Sequence, residues 1–359
     1  MNIVYFVPSL SINNDPGVFK KILNQIESWN KLDSVSARAI VITRDCIEDV
    51  TYKNIFFIKP TLSQTHIFKL FRLLNKYKPD LVYMRYFLFK PYYYILQKKY
   101  KTFFEINTDD VEEWKMLSKV KIKFLFYSLY NFFSRGIMYK NACAFLFVTH
   151  ELSKKVSFTK YAKPFIISPN SINLSAFKHK KCKNIDKKLK FFFIGSSGIP
   201  WHGLDKIEYL AQLLGNIIEI HIVGTEKKSS ENLFYYGHKT YEEYHQIACS
   251  CDIGIGSLAL HRYNLNEACT LKSREYLAFG LPIIIAYEDT AFFKKDVDFI
   301  YKLPNCEDNI NAKSALQILE FAKTNKNKVV QFFELNSYID VAVIEEKKID
   351  YLKGHLLND

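Results

Sequence analysis

Short apolar runs alternate with amphipathic stretches along the chain, and the alternation starts twice. In the first half, Ile3–Val7, Ala39–Thr43, Ile55–Ile58, Leu81–Met84, Thr102–Ile106 and Ala144–Val148 read as strands. Their apolar residues are consecutive, which is how strands buried on both faces of a parallel sheet look. Between them, Pro16-Gly17 opens an amphipathic helix to about Trp29, and a second helix runs from about Leu62 to Tyr77, ended by Pro79-Asp80. Residues 178–190 carry seven lysines and one aspartate with little to bury, so they read as a solvated linker. The pattern then restarts. Phe191–Gly195, Ile218–Val223, Asp252–Ile255 and Pro282–Ala286 read as strands, and Gly203–Leu214, Tyr241–Cys249 and Leu271–Phe279 as helices. The C-terminal part reads as helices at about 310–323, 326–334 and 337–353. The prediction is α/β: two Rossmann-like, doubly wound parallel-sheet domains facing a cleft, with a helical tail. The expected bounds are 1–177, a linker at 178–190, 191–335, and a tail helix at 336–359 packing back on the first domain. Ligands are expected at the carboxyl ends of the strands.

Composition narrows the class. The chain has 359 residues, 48% hydrophobic and 24% charged, which excludes disorder and fibrous or disulfide-scaffold classes. The net charge of +13 is uneven. Residues 1–177 hold 26 basic and 13 acidic residues, and residues 191–359 hold 17 basic and 23 acidic. Seven cysteines without a paired C-x-x-C framework fit a reducing cytoplasm, and Cys249-x-Cys251 reads as a chance pair on an apolar segment. No basic leader precedes the first apolar run, and no apolar run reaches the ~18–20 residues of a spanning helix.

One segment carries specific chemistry. In Asn266-Glu267-Ala268-Cys269-Thr270-Leu271-Lys272-Ser273-Arg274-Glu275, two glutamates stand eight positions apart. With Glu267 before a helix and Glu275 two turns inside it, both can face one ligand. The amides of Ala268, Cys269, Thr270 and Leu271 then crowd a helix N-terminus, where free N–H groups and the dipole make an anion site. Lys272 and Arg274 fall where the dipole disfavours cations, a placement that a bound diphosphate would relieve. A carboxylate such as Glu275 can accept both hydrogen bonds of a ribose diol, and Glu267 can do the same for sugar hydroxyls.

The stretch from Leu258 to Ile285 resembles the donor-binding segment of GT-B glycosyltransferases, close to glycosyltransferase family 4, with its E-x7-E motif followed by G-x-P and a strand. Phe191–Gly195 followed by Trp201-His202-Gly203, the strand ending Val223-Gly224, Leu233–Gly237, Asp252–Ile255, and Ile167–Asn173 with Phe177 occur in the family's order. The resemblance covers residues 165–290 well and the first domain in outline. It implies transfer of a sugar from a nucleotide-diphosphate sugar to a hydroxyl of a glycan or lipid-linked acceptor. Retention and no metal or other cofactor are expected, in surface-polysaccharide biosynthesis. Glu275 is expected at the ribose and Glu267 at the donor sugar. Lys272, Arg262 and Arg274 are expected at the diphosphate, with Gly195, Ser196, His202 and Gly224 lining the donor pocket. Glu105, Asn107 and His150 are expected near the reacting centre, and Gly17 on the acceptor side. Two departures stand out: His202 replaces the usual lysine, and Glu105-Ile106-Asn107 stands where many relatives keep a histidine. Asp109-Asp110 is not read as a metal-binding pair.

The basic first domain needs a partner of its own. Residues 51–101 contain 11 Lys/Arg and one acid, Asp80, interleaved with Phe and Tyr. Residues 119–140 join Lys119, Lys121, Lys123, Arg135 and Lys140 to an aromatic-rich face. Basic, aromatic and amphipathic together predict a helix lying on an anionic membrane at the inner face of the cell membrane. No nucleic-acid-binding module is visible, so nucleic acid is not expected as a partner. The rival readings are a GT-B nucleotide-sugar epimerase or hydrolase, and an inactive GT-B subunit that binds a partner transferase.

Overall fold

The apolar runs become parallel strands of two sheets. The computed structural model describes residues 1–13, 15–46, 48–120, 122–177, 187–196 and 198–357, without the side chains of Lys119, Val120 and Leu357. The chain divides into two units, Met1–Pro169 with Val341–Asp359, and Asn170–Asp340.

The first unit holds β1 (Asn2–Val7), β2 (Ser36–Ile42), β3 (Val50–Tyr52), β4 (Ile55–Ile58), β5 (Leu81–Arg85), β6 (Lys101–Ile106), β7 (Ala144–Phe147) and β8 (Phe165–Ile167). Their order in the sheet is β3-β4-β2-β1-β5-β6-β7-β8. The pairings are parallel except β3 with β4, which adds a short antiparallel edge. β1 pairs with both β2 and β5, so the winding reverses between β1 and β5. Around the sheet lie α1 (Pro16–Trp29), α2 (Thr65–Tyr77), α3 (Pro91–Lys99), α4 (Asp110–Val120), α5 (Lys123–Lys140) and two short helices, α6 (His150–Lys154) and α7 (Val156–Thr159). Val4, Phe6, Ile40, Val82, Met84 and Phe104 build the core on one face, and Ile3, Tyr5, Val41, Tyr83 and Phe103 that on the other. Both faces are therefore apolar, as continuous apolar strands require.

The second unit holds β9 (Leu189–Ile194), β10 (Ile218–Val223), β11 (Leu233–Tyr235), β12 (Ile253–Ile255), β13 (Glu267–Ala268), β14 (Ile283–Ile285), β15 (Glu288–Asp289) and β16 (Ile300–Lys302). The main sheet runs β11-β10-β9-β12-β14-β16, all parallel, while β13 and β15 pair separately. Here the winding reverses between β9 and β12, the Rossmann arrangement. The helices are α8 (Leu204–Leu214), α9 (Tyr241–Cys249), α10 (Leu271–Ala278), α11 (Ala312–Thr324) and α12 (Phe332–Ile339). A capping box between Thr240 and Glu243 starts α9 where the sequence expects it. α12 begins later than the expected 326–334. Lys328 pairs with Asp298 and Val330 N–H bonds Gly280 O, which holds that stretch as loop until Gln331 and Glu334 cap the helix.

α13 (Val341–Leu357) returns to the first unit and packs against α1. It buries Val341, Ile344, Ile349 and Leu352, and Glu345 accepts from Trp29 Nε1 at 2.8 Å and Gln25 Nε2 at 3.2 Å. The division at Pro169 comes earlier than the expected residue 177. Ile172 bridges to Asp340, and Asn170 bonds to Cys269, which ties 170–177 to the second unit. Most of the expected linker, 178–186, lies outside the described residues, and its last residues open β9.

α5 is turned inside out. It buries Asn131, Ser134 and Arg135 alongside Met138 and Tyr139, while Phe126, Leu129, Phe132 and Phe133 are exposed, the last by 76%. The cause is Asp110, a buried carboxylate that accepts from Arg135 Nε at 2.8 Å, Arg135 Nη2 at 2.7 Å and Asn131 Nδ2 at 2.7 Å. A buried charge has to be paired, so the polar face turns inward and the aromatic face outward. Among the described residues no helix is long and apolar enough to cross a membrane.

Candidate functional site

The winding of the second unit reverses between β9 and β12, and the carboxyl ends of strands at such a reversal are where a doubly wound sheet takes its ligand. After β9 comes Gly195, then the turn Pro200–His202 and Gly203, which opens α8. Gly195 has no space for a side chain: a Cβ would stand 2.8 Å from His202 Nδ1 and 2.8 Å from Phe193 Cζ. Gly224, at φ +87°, packs against Gly195, where a Cβ would stand 3.0 Å from its carbonyl oxygen. The loops after β9 and β12 are joined by Leu258 N–H to His202 O at 3.1 Å and Ala259 N–H to Trp201 O at 3.3 Å. Gly195 thus makes room for the His202 and Phe193 rings, Gly224 lets its backbone approach that of Gly195, and Ser196 is exposed.

α10 supplies the charged side of this region. Thr270 is its N-cap residue but makes no side-chain cap bond. Its hydroxyl is spent on Ser273 Oγ at 2.8 Å and Tyr287 OH at 3.1 Å. The start of α10, at Leu271, therefore keeps its positive end without a capping oxygen from Thr270. Lys272 follows. Its nitrogen is shielded from solvent, has no hydrogen-bond partner among the described residues, and lies 4.7 Å from the Phe193 ring centroid. Burial pushes this ammonium down to about 7. Burial, and next the Lys272 charge, push His202 down to about 3, against a bond with the Ser196 backbone that favours the cation. His202 is therefore a neutral imidazole at ordinary pH and cannot replace the charge of a lysine.

Glu275 lies three residues beyond Lys272, on the same side of α10. It is half-buried, and Tyr244 OH, from α9, donates to its carboxylate at 3.3 and 3.4 Å. Burial, followed by Glu275, pushes the Tyr244 phenol far above its ordinary range, so it remains a donor. Tyr244 was not found from the sequence, where it is one tyrosine among many on an amphipathic helix. Glu267 is buried in β13, with Ala268, opposite Glu288 and Asp289 of β15.

Several expected site residues have other work. Arg274 is fully buried. It binds Asp289 through two hydrogen bonds, of 2.8 and 2.6 Å, and donates to Asn170 O at 3.0 Å and Cys269 Sγ at 3.0 Å. Its charge is spent inside, so it does not reach a diphosphate. Cys269 Sγ also accepts from Asn170 N–H at 2.9 Å and faces the same interior cluster. Arg262 pairs with Asp205 at 2.9 and 2.7 Å and with Glu307, which makes it a clasp between the start of α8 and the segment after β16. Glu105 is buried in the first unit, where it accepts from Lys21 Nζ at 2.8 Å and Tyr5 OH at 2.6 Å, with Arg85 at 3.4 Å. Burial raises its carboxyl, but Lys21 and Arg85 outweigh that and hold it well below the usual range. It is therefore an ionised structural anchor and not a proton carrier. Asn107 is tied to it, accepting from Lys21 Nζ at 3.1 Å. His150 opens α6, after its cap Thr149, and Gly17 is an exposed second residue of α1.

The sequence matches no protein-family model and none of the curated proteins. Solved structures are similar over nearly the whole chain. Sucrose-phosphate synthase from Thermosynechococcus elongatus gives a TM-score of 0.70 at 11% identity, covering 99% of this chain and 100% of that one. Anabaena HepE in complex with UDP and glucose gives 0.66 at 11% identity, covering 99% and 100%. An α-glucosyltransferase in complex with UDP-glucose and DNA containing an abasic site gives 0.66 at 12% identity, covering 98% and 99%. Identities this low speak for architecture alone, and they agree with the two doubly wound sheets: the chain has the GT-B glycosyltransferase fold.

Proposed function

We propose that the protein is a glycosyltransferase. It moves a sugar from a nucleotide-diphosphate sugar, with UDP the first nucleotide to test, to a hydroxyl of a glycan or lipid-linked acceptor. The observation that carries this reading is Lys272: a shielded amine, without a hydrogen-bond partner among the described residues, at the start of α10, which Thr270 does not cap, beside the glycine-lined loop after β9. A departing diphosphate is the ligand that such a place lacks. Its charge would restore the ammonium and meet the dipole of α10. Glu275, held by Tyr244, is suited to the ribose diol one turn further on, and Glu267 to donor-sugar hydroxyls. In the transfer, the bond from the anomeric carbon to the phosphate oxygen breaks and the bond to the acceptor oxygen forms. The acceptor proton goes to the leaving phosphate oxygen when the acceptor attacks from the same face, which gives retention. The charge on the leaving group is met by Lys272 and backbone N–H groups, with no metal in the scheme. Support for UDP comes from HepE and the α-glucosyltransferase, whose complexes contain UDP or UDP-glucose.

The acceptor side is proposed to work at the inner face of a membrane, in surface-polysaccharide assembly. The outward aromatic face of α5 supports it, since an exposed patch of Phe126, Leu129, Phe132 and Phe133 needs cover. Lys123 is exposed beside it, while Lys121 and the side chain of Lys119 lie outside the described residues. The test is transfer from radiolabelled UDP-sugars to membrane extracts, with a DNA duplex as a second acceptor because one similar structure contains DNA. Label in lipid-extractable glycan supports the reading; label in DNA alone overturns the membrane half of it.

A further inference from the structure

The first unit has a switch point of its own, and there is a cavity there of about 400 Å³. Its walls are the loops that leave β1, β2, β4 and β5. This is where a doubly wound sheet opens a ligand crevice. The sequence reading did not single out the residues that line it.

Two cations face this space, Arg44 after β2 and Lys90 after β5. Arg44 makes no ion pair or hydrogen bond among the described residues, and Lys90 has only the Phe87 and Tyr92 rings, each 6.0 Å from its nitrogen. Asp45 is the acid of the lining, and its Oδ2 is engaged by the loop after β1. There it accepts from Ile12 N–H, from Asn13 N–H at 3.2 Å and from Ser11 Oγ at 3.3 Å. Lys90 is also the N-cap residue of α3, which has no side-chain cap bond, so the positive end of that helix adds to the field. Burial, and then the Arg44 charge, lower the Lys90 ammonium. Arg44 and Lys90 make no ion pair with Asp45 among the described residues, and like charges in one lining are a cost that a further anion lowers. A dianion answers both cations; a carboxylate would leave one unanswered.

We infer that this cavity binds a phosphate group of the acceptor, held between Arg44 and Lys90. The word acceptor rests on the glycosyltransferase reading, but the anion site does not. Ser9, exposed and without a hydrogen bond among the described residues, is a further donor, and Phe87 is a wall for the group that carries the phosphate. The phosphate is one of two kinds with the same chemistry: a soluble sugar phosphate or a lipid phosphate.

The test uses the full chain with saturating UDP, so that the donor site is filled. Glucose 6-phosphate and inorganic phosphate are titrated by calorimetry, and phosphatidylcholine vesicles with and without polyprenyl phosphate are assayed by flotation. Phosphate binding that falls at least tenfold in R44Q/K90Q, with UDP binding unchanged, supports the inference. Arg44 is exposed, so R44Q alone serves if the double variant is poorly folded. Saturable binding of glucose 6-phosphate marks a soluble acceptor, and binding that needs polyprenyl phosphate marks a lipid one. If R44Q/K90Q binds as the unmodified chain does, or if the unmodified chain takes none of the probes, the inference is wrong. If UDP does not bind and the variant still loses phosphate, the anion site stands and the donor reading falls.

Discussion

Binding of a nucleotide-diphosphate sugar at α10 should draw a proton from solution. Burial against Phe193, with no hydrogen-bond partner for the nitrogen among the described residues, pushes the Lys272 ammonium down to about 7 in the free protein. Near pH 8 roughly nine-tenths of the free protein then carries the neutral amine. A diphosphate beside it favours the ammonium and returns it towards the ordinary lysine value of about 10.4. The complex is therefore protonated, and near pH 8 binding takes up about 0.9 proton. Between about pH 6.5 and 8.5 the dissociation constant for UDP-glucose should rise roughly 25-fold, about 1.9 kcal/mol. The ligand diphosphate keeps a fixed charge over that range, and His202, near 3, is already neutral. Calorimetry in two buffers of different ionisation enthalpy reads the proton count directly. In Lys272→Met, which keeps an apolar stem over Phe193, the uptake should vanish and the affinity should become flat with pH. Measurable binding with no uptake near pH 8, or the same uptake in Lys272→Met, refutes the placement of the diphosphate at Lys272.

Glu275→Ala should weaken nucleotide-sugar binding by about 1–3 kcal/mol through lost hydrogen bonds to a charged group, and Tyr244→Phe by about 1 kcal/mol, both read by calorimetry. Unchanged binding in a folded Glu275→Ala removes it from the site. Asp289→Ala strands the Arg274 charge inside the second unit, so urea unfolding should show a loss of about 3–5 kcal/mol, and a loss under 1 kcal/mol would contradict the buried pair. Unfolding should also become harder as pH rises from about 7 towards 10.4. In that window the unfolded chain holds the Lys272 proton and the folded chain does not, and Lys272→Met should flatten that slope. Replacing Phe126, Phe132 and Phe133 by serine, or reversing the charge of Lys119, Lys121 and Lys123, should release the protein from anionic liposomes and spare UDP binding. If liposome binding persists in both variants, α5 is not the contact.

The sheets were legible because strands buried on both faces need consecutive apolar residues, and runs such as Ile3–Val7 and Ala144–Val148 show it in one dimension. The E-x7-E segment was also legible as a helix start, through its spacing. Which of its charges are free was not. Arg274 looks like Lys272 in sequence, but its partner Asp289 lies 15 residues away on β15, and the pair exists only once β15 is beside β13. The ion pair of Glu105 was hidden for the same reason, since Lys21 is 84 positions distant. α5 shows the reverse problem. Its basic and aromatic pattern was visible, but the pattern does not say which face is outward; Asp110 decides that by drawing Arg135 and Asn131 inward. The Arg44–Lys90 cavity was hidden because its walls come from four separate loops.

The most direct measurement is a metal-free thermal-shift screen of the full chain with UDP, GDP, ADP, CMP and dTDP and their common sugar conjugates. A ligand at 100 times its dissociation constant adds about 2.7 kcal/mol to stability. The account predicts that one nucleotide family, UDP first, raises the melting temperature, and that the rise shrinks in Glu275→Ala and in Lys272→Met. No shift with any nucleotide, from a protein that melts cooperatively, would contradict a donor site at α10.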